Sequence, residues 1–144
     1  KLAKYGLQVS AQPGFLPHYG VQFSSMRLNR RYRGLPLKSL LDADVKLIMS
    51  SDYPCGPLNP LHNMRCAVER IIKGGVVYLE NESVSQEDAV YAYTIAGSAG
   101  ITGQKKAGIE VNRPADFILL SGGPFEHSTT VNSTWISGEK VYQK

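Results

Sequence analysis

Val45-Lys46-Leu47-Ile48-Met49 is the segment that most narrows what this chain can fold into. It is short, almost wholly apolar, and closed off by the polar run Ser50-Ser51-Asp52. Such a run reads as a strand buried on both faces, the kind found in parallel sheets covered by helices. The neighbouring segments agree. Leu7, Val9 and Ala11 alternate with Gln8, Ser10 and Gln12, giving a short strand with one apolar face that Pro13-Gly14 breaks. Lys1 to Tyr5 reads as a helix end capped by Gly6. Pro36 opens a short helix with Leu37, Leu40 and Leu41 on one side. Asn59-Pro60 starts another, with Leu61, Met64, Val68 and Ile71 at helical spacing and Gly74-Gly75 as its stop. A further helix begins near Ser83 or Ser85. Glu87 and Asp88 sit in its first turn, and Val90, Tyr93, Ile95, Ala96 and Ala99 carry it to Gly100. From Phe15 to Leu35 no period is visible, and a long polar loop is expected.

The pattern changes after about Lys106. Phe117 to Leu120, Thr130 to Ile136 and Glu139 to Tyr142 read as strands, the last two joined by a tight Ser137-Gly138 turn. The expected architecture is therefore α/β. Residues 1–106 form β/α units of a parallel sheet, and residues 107–144 form strands of a separate antiparallel sheet.

The chain has 144 residues. That is ample for a compact core but short of the ~250 residues of a full (β/α)8 barrel. The net charge of +4 is mild. Its densest basic stretch, Arg27, Arg30, Arg31 and Arg33 around Tyr32, carries no nucleic-acid motif and reads as a solvated loop. Neither a nucleic-acid nor a membrane partner is expected, since no apolar run approaches the ~18 residues of a span. Cys55 and Cys66 match no zinc spacing and read as thiols of a reducing compartment, hence a cytoplasmic protein.

Several segments, taken in order, resemble the amidohydrolase family 3 branch of the amidohydrolase superfamily. They are Gly6-Leu7-Gln8-Val9-Ser10-Ala11-Gln12-Pro13-Gly14-Phe15-Leu16; Pro36-Leu37-Lys38-Ser39-Leu40-Leu41-Asp42-Ala43; Ser51-Asp52-Tyr53-Pro54 with Asn59-Pro60-Leu61 and Ala67-Val68-Glu69-Arg70; Glu87-Asp88-Ala89-Val90-Tyr91-Ala92-Tyr93-Thr94; and Ala107-Gly108-Ile109-Glu110-Val111-Asn112-Arg113-Pro114-Ala115-Asp116-Phe117. Asp44, Ala107 and Asn112 depart from it, standing where the family carries Gly. The resemblance implies the C-terminal fragment of a distorted TIM (β/α) barrel, followed by a few strands of a small composite β-sandwich. It also implies a hydrolase of amide-type C–N bonds that uses one or two divalent metals, usually zinc.

Asp52 is the candidate catalytic residue and the candidate metal ligand. It follows the apolar strand, and barrel active sites lie beyond the C-terminal ends of strands. On residue type alone it could equally be a turn or capping Asp. The resemblance matches it to the family's last-strand carboxylate, which helps bind metal and takes a proton from the attacking water. Gln12, Phe15 and His18 are the candidate substrate-binding residues, although Gln12 could instead hydrogen-bond the barrel rim and His18 could be an exposed loop histidine. The family's remaining ligands would lie upstream of Lys1. His18, His62 and His127 match none of them, so no tightly bound metal is expected on this chain alone. The expected partners are a small amide-type substrate in the longer parent and a second copy of the chain, paired through exposed strand edges. The alternative is a non-catalytic binding or regulatory module derived from such an enzyme.

Overall fold

The computed structural model describes residues 1–26, 34–103 and 107–144. The chain opens with a 3-10 turn over Ala3–Tyr5, closed by Gly6 at φ 63°. Strand β1 (Gln8–Ala11) follows, then a 3-10 turn at Pro13–Phe15 that leads into helix α1 (Leu16–Met26). Helix α2 (Leu37–Asp42) precedes strand β2 (Lys46–Met49), which pairs in parallel with β1, Val9 opposite Leu47 and Ala11 opposite Met49. The reasoning from the apolar run thus finds its parallel neighbour. Burial of β2 is one-sided, however: Leu47 and Met49 are buried, Ile48 is partly covered and Lys46 is exposed. The two strands, with helices Pro60–Glu69 and Gln86–Tyr93 against the face of Leu47 and Met49 and helix Ile95–Thr102 over Ile48, make an open, barrel-like α/β arrangement without closure among the described residues.

Helix α3 (Pro60–Glu69) starts as its sequence dictates. The Asn59 side chain accepts bonds from the N–H groups of Leu61 (2.9 Å) and His62 (3.3 Å). It ends earlier than expected. Arg70 turns left-handed at φ 53°, and Ile71 belongs to a small hairpin of β3 (Ile71–Ile72) and β4 (Val76–Val77) turned by Gly74 and Gly75. The guanidinium holds Arg70 there. It is fully buried and donates to the carbonyls of Tyr78 (2.8 Å), Glu82 (3.4 Å) and Gly34 (3.4 Å). Burial pushes its pKa below the usual arginine value, and Glu82 opposes that shift. The Glu82 carboxylate, also buried, accepts from the Ser39 N–H (2.9 Å) and hydroxyl (2.5 Å).

Helix α4 (Gln86–Tyr93) is capped by Ser85, whose hydroxyl accepts from the Asp88 N–H at 3.0 Å. The single helix expected to reach Gly100 is broken at Thr94 (φ −109°, ψ −82°) and resumes as α5 (Ile95–Thr102). The expected long loop from Phe15 to Leu35 is also corrected. Residues Leu16–Met26 are helical, and the basic cluster at Arg27–Arg33 lies outside the described residues. Periodicity hid α1 because its core-facing position is a glycine. Leu16 and Gly20 are buried and Phe23 packs beside them, a one-sided stripe with its middle member missing a side chain.

The C-terminal strands β5 (Phe117–Leu120), β6 (Val131–Ile136) and β7 (Glu139–Gln143) form an antiparallel sheet in that order, with Ser137 (φ 51°) and Gly138 (φ 82°) as the hairpin turn. Phe117 stacks on Trp135 at 5.5 Å. Leu120 and Phe125 pack onto the main core, which gathers Ala11, Leu37, Leu47, Met49, Leu61, Met64 and Ala67. Asp44 and Asn112 both sit at positive φ, so residues that tolerate the left-handed region occupy these turns. No helix among the described residues is long and apolar enough to cross a membrane.

Candidate functional site

Ser50, Ser51 and Asp52 continue the chain beyond the C-terminal end of β2, beside the end of β1. The Ser50 N–H still bonds the Ala11 carbonyl (3.0 Å), so the two strand ends leave the sheet together. Ser50 Oγ lies 3.0 Å from Ser10 Oγ and accepts from Gln12 Nε2 at 3.1 Å. Gln12 therefore bonds the rim between the strand ends. Asp52 stands at φ 53° and is exposed, and among the described residues its carboxylate accepts no hydrogen bond. Its carbonyl accepts from the N–H groups of Cys55 (2.8 Å) and Gly56 (3.2 Å), which curls the loop back on itself.

Phe15 supports this loop from the β1 side. A Cβ on Gly56 would fall 2.2 Å from the Ser51 carbonyl oxygen and 2.9 Å from the Phe15 ring, so only a glycine lets loop and ring meet. Phe15 also makes an edge contact with Tyr19 at 5.4 Å. His18 is exposed, its ring 6.3 Å from that of Tyr19. Gln12 and Phe15 are thus joined to the segment carrying Asp52, through Ser50 and Gly56 respectively, whereas His18 faces the histidine group described next.

His62 Nε2 lies 3.5 Å from Cys66 Sγ one turn along α3, and His127 lies 3.2 Å from the Glu69 carboxylate. Burial pushes His62 below the usual histidine value, helped by nearby Arg65 and His18. Burial pushes the Cys66 thiol up to about 11. Among the described residues, no group of three or more His, Cys, Asp or Glu side chains could hold a metal ion. The donors among the described residues therefore do not complete a metal site.

Sequence reasoning missed Asn63. It is fully buried in α3, where its Nδ2 donates to the Pro57 carbonyl (2.8 Å) and to the Tyr93 hydroxyl (2.9 Å). The signal was available: a polar residue at position 63 lies one helical turn from Asn59 and Ala67, on the face that α3 buries. Burial pushes the Tyr93 pKa up.

A family model described as amidohydrolase family matches residues 1–142 of this geometry's sequence. The chain belongs to the amidohydrolase family. It is 29% identical over 153 residues to an N-substituted formamide deformylase of Arthrobacter pascens, covering 100% of this chain and 28% of that protein. The crystal structure of an amidohydrolase from Thermotoga maritima MSB8 superposes with a TM-score of 0.69 at 22% identity, over 99% of this chain and 33% of that one. The crystal structure of an uncharacterized metal-dependent hydrolase from Pyrococcus furiosus gives a TM-score of 0.66 at 27% identity, over 87% of this chain and 25% of that one. This amidohydrolase-family chain thus spans a third or less of the length of these relatives.

Proposed function

We propose that this chain is the C-terminal part of a metal-dependent hydrolase acting on non-peptide, amide-type C–N bonds, with Asp52 as one metal ligand and as the proton acceptor. The observation that carries this reading is the Asp52 carboxylate, exposed at the end of a parallel strand with no hydrogen-bond partner among the described residues. A carboxylate placed so is free to accept a proton from an attacking water. When bound, a divalent metal would acidify that water and polarise the scissile carbonyl. Asp52 alone cannot hold it, since catalytic zinc takes three protein ligands. The remaining donors belong to the rest of the longer protein, and this chain by itself is inactive.

In this reading residues 1–106 complete the barrel and residues 107–144 belong to a composite sandwich. Gln12 and Phe15 line the substrate side, whereas His18, next to His62 rather than the Asp52 loop, is left outside it. The likeness to the N-substituted formamide deformylase of Arthrobacter pascens favours an N-substituted formamide as the substrate class. In the isolated chain, the unpaired edges of β1 and β2 favour self-association.

The test is a formate- or acid-release screen of the full-length protein against N-substituted formamides and N-acyl amides, with metal analysis. Asp52→Ala should lower kcat roughly 100- to 10,000-fold. Wild-type turnover by that variant, at unchanged metal content, would overturn the proposal.

A further inference from the structure

Asn63 is placed where stability alone would not put it. Its side chain is fully buried, and its Oδ1 has no hydrogen-bond partner among the described residues. A buried acceptor left unpaired is costly; an apolar side chain would remove that acceptor but leave the Pro57 carbonyl and the Tyr93 hydroxyl without the Asn63 donor. What the amide does provide is contact with both strand-end loops. Nδ2 donates to the carbonyl of Pro57, which directly follows the Asp52–Gly56 curl, and to the Tyr93 hydroxyl from α4. Oδ1 rests on Gly14, in the turn that follows Gln12; a Cβ there would fall 2.0 Å from it. One planar group thus spaces the turn after β1 from the loop after β2, and Tyr93 fixes its rotation.

We infer that Asn63 is a positioning residue that sets Asp52 relative to the Gln12–Phe15 turn. This rests on the Asp52 reading above. The chain of contacts is short and rigid. Asn63 holds Pro57, Gly56 leans on Phe15 and on the Ser51 carbonyl, and the Cys55 and Gly56 N–H groups hold the Asp52 carbonyl. Displacing a reacting group by ~1 Å can cost about 100-fold in rate while leaving binding intact.

The experiment uses the full-length protein with N-butylformamide as probe, reading formate release. The variants are Asn63→Leu, Asn63→Ala, Gly14→Ala, the double variant Asn63→Ala with Gly14→Ala, and Asp52→Ala. Asn63→Leu keeps the side chain's branching and heavy-atom count while removing its hydrogen bonds, and retained protection in the middle of α3 guards against simple loss of fold. It should lower kcat about 100-fold with KM within about twofold. Amide exchange at Cys55 and Gly56 should speed by about tenfold or more, while amides in the middle of α3 keep their protection. Gly14→Ala should damage kcat in the native background and much less once Asn63 is Ala, because the 2.0 Å clash is then gone and only the 3.2 Å contact with Pro57 Cδ remains. Asp52→Ala separates the two claims. If it turns over like wild type, the Asp52 reading fails and this inference falls with it. If Asp52→Ala is dead while Asn63→Leu keeps wild-type kcat, or while Cys55 and Gly56 exchange as in wild type, only the role of Asn63 fails.

Discussion

Gly20 lies so close to Ile72 that a Cβ on it would sit 2.2 Å from Ile72 Cγ2 and 2.8 Å from Ile72 Cβ. The contact seats α1 on the β3–β4 hairpin. Gly20→Ala would gain about 1 kcal/mol of helix propensity. The clash involves the branch point of a stiff side chain, and overpacking of this kind costs about 1–3 kcal/mol. The clash should win, and the variant should unfold at lower urea concentration than wild type. An unchanged or raised midpoint would mean that α1 does not sit against Ile72.

Arg70 offers a contest between backbone strain and hydrogen bonding. Gly at this left-handed position would relieve about 1–2 kcal/mol of strain. It would also lose the guanidinium's bonds to Tyr78, Glu82 and Gly34. Hydrogen bonds from a charged donor contribute about 1.5–3 kcal/mol each. Arg70→Gly should therefore be less stable than wild type, and Arg70→Lys, with one nitrogen for three carbonyls, should fall between. Urea titrations of the three proteins would rank them, and a stabilised Arg70→Gly would refute the assignment.

His62 predicts a sign in the pH dependence of stability. Its folded pKa is lowered, chiefly by burial and then by Arg65. Below the unfolded value of about 6.5 the unfolded chain binds the proton more readily than the folded one. The contribution of His62 is therefore complete above that value and is lost as pH falls through the folded pKa. Comparing wild type with His62→Gln between about pH 5 and 8 should show a shallower acid slope in the variant. A steeper slope would contradict the burial of this ring.

The two thiols should label at very different rates. Cys55 is exposed and Cys66 is buried, with its thiol pushed up to about 11. At pH 8 roughly one part in a thousand of Cys66 is thiolate, the reactive form. Iodoacetamide followed by mass spectrometry should modify Cys55 in native protein and reach Cys66 only after denaturation. Equal native rates would show that α3 opens readily at this point.

The sequence was most readable where a local rule acts alone. Asn59 and Ser85 cap helices because their short oxygens reach the first free N–H groups, and Ser137-Gly138 turns a hairpin because both residues take positive φ. The pairing of β1 with β2 followed from their apolar patterns. What stayed hidden depended on partners far along the chain. Helix α3 runs apolar past its true end, and only a buried guanidinium gripping residues 34, 78 and 82 explains the stop at Arg70. Helix α1 escaped notice because Ile72, from a later hairpin, fills the place a side chain at Gly20 would have taken. In the candidate site, Asp52 became a candidate through its position after a strand together with the family resemblance, while Asn63 acquires meaning only when Pro57, Tyr93 and Gly14 are seen around it.

Among the described residues, Arg70 directs its Nε and both terminal nitrogens at main-chain oxygens, and its guanidinium also lies over the Tyr78 ring, 5.8 Å from the centroid. The main-chain part of that anchor is indifferent to the identity of the residues it ties together, whereas the ring contact asks for an aromatic at position 78. Position 34 is free to drift in composition, as far as this grip is concerned, so long as the path of the chain past it is kept. Relatives that differ at position 34 can thus close the same seam, whereas a change at position 70 removes the main-chain grip and the ring contact together.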